Sequence, residues 1–350
     1  MDSNNEDLIL TRPIYENGEY KNPWNHQELP SIASKRTLGF LWKLLVTSGN
    51  LPSKKVLDEQ LPVERPDFGK LCNPPVSGIQ MTWIGHATVL VQFDGISVLT
   101  DPIFSQRCSP FSWIGGNKRY RPPPCKIEEL PKVDVVLISH SHYDHLDYSS
   151  VQKLNKQFGD SLHWFVPVGL KPWMESAGCQ KVTELSWWEE VKFKSKEEFL
   201  IACTPTQHFS GRTLFDRNKS LWGSWVVKGP KSTFFFSGDT GYSKDFKTIG
   251  KKYGPMTLAA IPIGAYAPRD FLKYHHVNPE EAVQIHKDVQ AKFSLGIHWG
   301  TFRMALEPYD ECVKRVATTL REKNLQPGSF FTLRHGQVAT IGENSHDEVD

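Results

Sequence analysis

The chain predicts an α/β fold whose functional side chains stand at the carboxyl ends of strands, and three observations carry that prediction. The apolar run 133–138 is rich in β-branched residues, follows Pro131, and delivers the chain directly into Ser139-His140-Ser141-His142-Tyr143-Asp144-His145. Three later runs, 199–203, 234–236 and 293–297, each lead to a single histidine or aspartate: His208, Asp239 and His298. Helical patterns alternate with these runs, and α/β folds place their sites beyond the carboxyl ends of strands.

Taken in order, residues 1–33 are polar and broken by Pro13, Gly18, Pro23 and Pro30, which predicts an irregular N-terminal arm without chemistry. Residues 34–350 are expected to form one domain. It opens with a helix over 34–47, capped by Ser34, with Leu38, Leu41, Trp42 and Leu45 on one face and Lys35, Arg36 and Lys43 nearby. That face can pack onto the domain, or lie in a membrane interface and shape a lipid entrance.

The stretch 81–100 reads as a hairpin turning at Asp94-Gly95, a pair suited to the positive φ angles of a type I′ turn. Between 104 and 124 the chain is aromatic, glycine-rich and proline-rich, too irregular for a regular element. Helices are expected at 149–158 and at 172–177, the latter closed by Gly178. Asn278-Pro279-Glu280-Glu281 combines a cap, an N1 proline and first-turn acids, opening a helix to about 289. Val313, Val316 and Leu320 mark one more.

Three histidines and an aspartate within six positions offer the nitrogen and oxygen donors that suit zinc, and to a lesser degree iron or manganese. A histidine-rich loop can be a solvated turn, but the HxHxDH spacing behind a buried strand favours metal binding. Four residues of one loop cannot complete two coordination shells, and His208, Asp239 and His298 are placed to finish them.

This pattern resembles the metallo-β-lactamase superfamily. The resemblance implies a four-layer αββα sandwich with a binuclear metal site between the edges of two sheets. It also implies that His140, His142 and His208 bind one Zn2+, that Asp144, His145 and His298 bind a second, and that Asp239 bridges them. Further blocks narrow it: Trp83-Ile84-Gly85-His86-Ala87-Thr88, Leu99-Thr100-Asp101-Pro102, Leu221-Trp222-Gly223-Ser224-Trp225, Ile261-Pro262-Ile263-Gly264-Ala265-Tyr266 and His298-Trp299-Gly300-Thr301. These resemble the N-acyl-phosphatidylethanolamine-hydrolysing phospholipases D, membrane-associated members of the superfamily.

That likeness implies a phosphodiesterase that releases N-acylethanolamine and phosphatidic acid through attack of a metal-activated hydroxide at phosphorus, with Asp144 orienting the nucleophile. It also implies a homodimer in peripheral contact with the cytosolic face of a membrane. Tyr143, Arg212, His276 and His335 are the candidate substrate-binding residues. Arg212 can meet the anionic diester in a bidentate way or form a surface ion pair. His276 and His335 are expected to support the site rather than ligate metal.

Composition sets outer limits. With 41 basic and 39 acidic residues the net charge is only +2, and no Lys/Arg stripe argues for a nucleic-acid partner. Six scattered cysteines without a CxxC pair, and an N-terminus without a basic segment followed by an apolar one, lead to the expectation of reduced, intracellular thiols. No window approaches the roughly 20 apolar residues of a spanning helix. The alternatives to the phospholipase reading are a soluble lactonase or small phosphate-ester hydrolase on the same fold, and a non-catalytic lipid-binding protein that kept it.

Overall fold

A computed structural model describes residues 8–24, 39, 42, 51–110, 115–195, 197–213 and 215–342. The expected helix over 34–47 lies outside the described residues except for Gly39 and Trp42. The arm is not irregular where it is described: β1 (Ile14–Glu16) and β2 (Glu19–Lys21) pair antiparallel. Asn17 and Gly18, at φ 55° and 82°, make the turn. Pro13 and Pro23 flank this hairpin rather than interrupt it, so they spare its ladder.

Two short helices follow, α1 (Lys54–Gln60) and α2 (Phe68–Cys72), then the meander β3 (Ile79–Gly85), β4 (Thr88–Phe93) and β5 (Ile96–Thr100). Asp94 and Gly95 turn between β4 and β5 at φ 50° and 85°, as the sequence predicts. The irregular stretch beyond contains one small pair, β6 (Arg107–Cys108) with β7 (Asn117–Lys118). Next come β8 (Val135–Leu137), α3 (Tyr148–Phe158), β9 (His163–Pro167), α4 (Lys171–Ser176) and β10 (Val182–Leu185).

The second half runs β11 (Glu190–Lys194), β12 (Glu198–Thr204), β13 (Ser224–Lys228), β14 (Thr233–Phe236), α5 (Asp245–Tyr253), β15 (Met256–Pro262), α6 (Arg269–Leu272), α7 (Pro279–Asp288), β16 (Ala291–Ile297), α8 (Glu311–Glu322), β17 (Phe330–Phe331) and β18 (Val338–Ile341). The cap expected before α7 is a full capping box. Asn278 Oδ1 accepts from the Glu281 N–H at 2.9 Å, and the Glu281 carboxylate accepts from the Asn278 N–H at 3.1 Å.

The strands form two seven-stranded sheets, ordered β10-β9-β8-β5-β4-β3-β18 and β11-β12-β13-β14-β15-β16-β17. Each is part antiparallel meander and part parallel, so the loops after β5, β8, β14, β15 and β16 emerge along neighbouring carboxyl edges. The period-2 alternation sorts the first sheet's side chains between two cores. Met81, Trp83, Val89, Val91, Val98, Leu137 and Phe165 face the second sheet, while Ile84, Leu90, Leu99, Val136 and Trp164 face Leu71, Val151, Leu154 and Met174 of the covering helices. Across the middle, Phe93 meets Phe199 at 6.1 Å and Phe165 meets Trp225 at 6.4 Å between ring centres. On the far side α5, α7 and α8 cover the second sheet, completing an αββα sandwich.

Trp225 ties this core to the functional loop. Its ring is fully buried and its Nε1–H donates to the Ile138 carbonyl at 2.8 Å, two residues before the HxHxDH stretch. Replacing it by alanine would cost about 3–5 kcal/mol through the lost area and the cavity. Gly238 has a comparable duty on the opposite sheet: at φ 59° a Cβ there would stand 2.4 Å from the Ser139 Cβ, so only glycine lets the Asp239 loop close against the histidine loop. No helix among the described residues is long and apolar enough to cross a membrane.

Candidate metal centre

The loops at the two sheet edges bring all seven expected ligands into one buried cluster. His140, His142, Asp144 and His145 follow β8; His208 follows β12; Asp239 follows β14; His298 follows β16. The histidine loop is a turn in which the His145 and Leu146 N–H groups both donate to the His142 carbonyl, at 3.1 and 2.8 Å. That turn throws His140 and His142 to one side and Asp144 and His145 to the other.

On one side, His140 Nε2 lies 2.7 Å and His208 Nε2 3.3 Å from His142 Nδ1. The remaining nitrogens of the outer two are held from behind. His208 Nδ1–H donates to the His275 carbonyl at 2.9 Å, and His140 Nδ1 meets the Ser139 hydroxyl at 2.8 Å. Each therefore turns its Nε2 lone pair inward. Burial holds His140 and His208 well below the ordinary histidine range and lowers His142 to about 4, so all three are neutral donors.

On the other side, Asp144 Oδ2 is 3.2 Å from His145 Nε2 and 3.5 Å from His298 Nε2. Asp239 Oδ2 is 3.1 Å from His145, 3.0 Å from His298, and 3.9 Å from both His208 Nε2 and His276 Nδ1. Burial would push both carboxyls up, but the surrounding imidazoles overcome it and hold them well below their usual range. The reciprocal effect overcomes burial at His145, raised well above 6.5, and at His298, raised to about 9.

The donor set fits a metal pair. It is all imidazole nitrogen and carboxylate oxygen, donor atoms of Asp144, His145 and His298 lie within 4.8 Å of one another, and His145 Nε2, His298 Nε2 and Asp239 Oδ1 are buried without a well-directed hydrogen bond. Cys108 lines the adjoining cavity, and burial pushes its thiol up to about 12.

That cavity measures about 340 Å³ and is lined by His142, Tyr143, Asp144, Phe209, Asp239 and His276 among others. Tyr143 and His276 thus stand where a substrate would reach them. His335 does not: it is completely buried behind Thr301, 3.0 Å from that hydroxyl, with its ring tilted against Trp83 at 4.2 Å, so the expected substrate contact has no route. Arg212 differs from both of its expected uses. Its Nη1 donates to the Ser141 and Leu146 carbonyls at 2.8 and 2.6 Å, and its plane lies over Tyr143 at 4.1 Å and Trp173 at 4.8 Å. The guanidinium clamps both ends of the histidine loop.

Sequence reading missed three contributors. Asp101 Oδ2 is 2.6 Å from His145 Nδ1 and 2.5 Å from the Ser139 hydroxyl, orienting both. His86 Nε2 is 2.9 Å from Asp144 Oδ2. Asn22, in the arm expected to lack chemistry, donates to the His208 carbonyl at 2.8 Å. Asp101 and His86 both follow strand ends, inside the blocks that carry the family resemblance, and that position was the available signal.

Two facing sheets with a buried histidine and carboxylate cluster between their carboxyl edges define a metal-dependent hydrolase of the metallo-β-lactamase type. Comparison with known proteins agrees: a Beta-lactamase superfamily domain matches residues 97–299. The chain is 42% identical to N-acyl-phosphatidylethanolamine-hydrolyzing phospholipase D 1 of Caenorhabditis elegans over 95% of both chains. It is 42% identical to the mitochondrial N-acyl-phosphatidylethanolamine-hydrolyzing phospholipase D of Saccharomyces cerevisiae over 66% of this chain and 49% of that one. Among solved structures, the metallo hydrolase Igni18 of Ignicoccus hospitalis shares the fold at a TM-score of 0.57 and 19% identity, covering 76% of this chain and 99% of its own. The chain therefore belongs to the N-acyl-phosphatidylethanolamine-hydrolysing phospholipase D family of the metallo-β-lactamase superfamily.

Proposed function

We propose that the protein hydrolyses N-acyl-phosphatidylethanolamine as a phospholipase D, breaking the bond between phosphorus and the ethanolamine oxygen to give N-acylethanolamine and phosphatidic acid. The observation that carries the reading is a single carboxylate facing two donor clusters: Asp239 Oδ2 lies 3.0 Å from His298 and 3.9 Å from His208. In this reading His140, His142 and His208 would hold one divalent cation, Asp144, His145 and His298 would hold another, and Asp239 would serve both. Zinc suits the donors, and iron or manganese are compatible with them.

When bound, such a pair supplies a water ionised near neutral pH and positive charge for the equatorial phosphate oxygens. Asp144, at the cavity edge, would orient such a water and could carry a proton to the leaving ethanolamine oxygen. His276, whose side chain is 14% exposed toward the cavity, and Tyr143 meet the substrate beside the diester. The identity of the substrate is supported by the activity named for the Caenorhabditis elegans relative. Peripheral contact with the cytosolic face of a membrane and a homodimer belong to the same reading, and co-sedimentation with phospholipid vesicles and analytical ultracentrifugation test them.

Product analysis by mass spectrometry is the direct test of the reaction. Zinc-loaded protein and an Asp144→Asn control are incubated with detergent-dispersed N-acyl-phosphatidylethanolamine. Metal-dependent release of N-acylethanolamine with matching phosphatidic acid, absent in the control, is expected. Intact lipid together with turnover of a lactone or a soluble phosphodiester would assign the centre to a small-substrate hydrolase instead.

A further inference from the structure

Behind the carboxylate-rich side of the centre lie two histidines and a threonine that the reading above leaves without a role. His86 is fully buried and sits between β3 and β4 with φ 55°. Both of its backbone groups are committed. The N–H donates to Thr301 Oγ1 at 2.7 Å, and the carbonyl accepts from the His298 N–H at 3.0 Å and from Trp83 Nε1–H at 2.9 Å. With its backbone held on two sides, the ring is delivered in one direction, which places Nε2 2.9 Å from Asp144 Oδ2.

Thr301 is held in turn. Its oxygen accepts from His86, so its hydroxyl proton is free to point at His335 Nε2, 3.0 Å away. His335 is clamped against Trp83, and Trp83 stacks on Trp299 at 5.3 Å. The packing leaves no slack: a Cβ on Gly85, itself at φ 126°, would stand 3.0 Å from His335 and 3.1 Å from Thr301. The chain of contacts joins the end of β3, the loop after β16 and the segment before β18 into one buried unit ending on a candidate ligand.

We infer that His86 is a positioning residue for Asp144, and that Thr301 and His335 set the angle of His86, so that this buried unit governs how tightly the carboxylate-rich subsite holds its cation. The physical need is plain. Asp144 faces three imidazoles, and a carboxylate among several donors adopts a single rotamer only if one of them is fixed independently. His86 is that donor: it is not itself an expected ligand, and Thr301 and Trp83 anchor its backbone in addition to the His298 N–H. Partners of this kind typically change metal affinity by about 10- to 100-fold. The inference rests on the metal-dependent reading of the centre.

The test uses the full-length protein, cobalt(II) as the probe, visible absorption and calorimetry as readouts, and thermal melts of the metal-free proteins to establish folding. Wild type is expected to take up two equivalents. Thr301→Val removes the hydroxyl with little change of shape and should weaken one equivalent by about 10-fold while leaving the other unchanged. Thr301→Ser should restore both. His86→Leu should weaken the same equivalent by about 10- to 100-fold, and His86→Gln, which keeps an N–H donor, should recover part of the loss with the wild-type absorption spectrum. Folded Thr301→Val and His86→Leu proteins that bind both equivalents with wild-type affinity would overturn the inference. Equal weakening of both equivalents would also overturn it, since it marks a general loss of structure. No cobalt uptake by wild type would remove the metal reading itself, and the inference with it.

Discussion

The three-histidine cluster and the carboxylate-rich cluster share Asp239 as a neighbour, yet they are anchored by opposite chemistry. His140 and His208 are held from behind by a hydroxyl and a backbone carbonyl, both neutral, and burial keeps their rings unprotonated. His145 and His298 face Asp144, Asp239 and, for His145, Asp101, and the carboxylate charge outweighs burial and raises both above the ordinary histidine range. At these four imidazoles a neutral partner leaves desolvation in control and several carboxylates together override it; one carboxylate does not suffice, since His86, 2.9 Å from Asp144, is lowered to about 3 by burial.

The largest expected effect comes from the residue the two clusters share. Asp239→Ala should lower kcat/KM on the phospholipid by more than about 10³-fold, because several kcal/mol of metal-derived stabilisation depend on it. Elemental analysis should find both metals depleted; loss of one alone would mean that Asp239 serves a single cluster.

The partner rule can be checked away from the centre at His286, whose Nδ1 meets the neutral Ser294 hydroxyl at 2.8 Å and which burial, with Lys287 nearby, lowers to about 4. The unfolded chain binds this proton near pH 6.5 while the folded one does not, so stability is present above about 6.5 and is lost as pH falls toward about 4. His286→Gln should remove up to about 3 kcal/mol of that pH dependence, measured by urea denaturation from pH 7 to 4. An unchanged pH slope would break the rule.

Asp101→Asn separates the clusters more sharply. Removing the carboxylate charge behind His145 should weaken the carboxylate-rich subsite by about 10- to 100-fold and spare the three-histidine one, as read by competition with a chelator. The smallest effect is expected at Asn22, whose bond to the His208 carbonyl is one of several holding that loop. Asn22→Ala should cost about 1 kcal/mol of stability, and any change in metal affinity should fall on the three-histidine subsite.

The seven ligand candidates were legible because each is a polar residue of the right type placed directly after an apolar strand, a contrast that local sequence displays. His86 and Asp101 occupy equivalent strand-end positions but stand alone, and an isolated histidine or aspartate reads as an ordinary core residue until its partner is known. Arg212 shows the reverse error: its nearness in sequence to His208 suggested contact with the diester, whereas it clamps the histidine loop, and His335, in a family block and expected to support the site, lies behind Thr301 away from the cavity.

Strand and helix periods, turn glycines and caps are set by interactions within a few residues, so the chain alone specified the α/β class, the hairpin at Asp94-Gly95, the capping box at Asn278 and the donor-bearing strand ends. Which donors face each other depends on contacts spanning tens to hundreds of residues. His86 reaches Asp144 across 58 positions and Asn22 reaches His208 across 186. Only the closing of two sheets, edge to edge, decides such pairs.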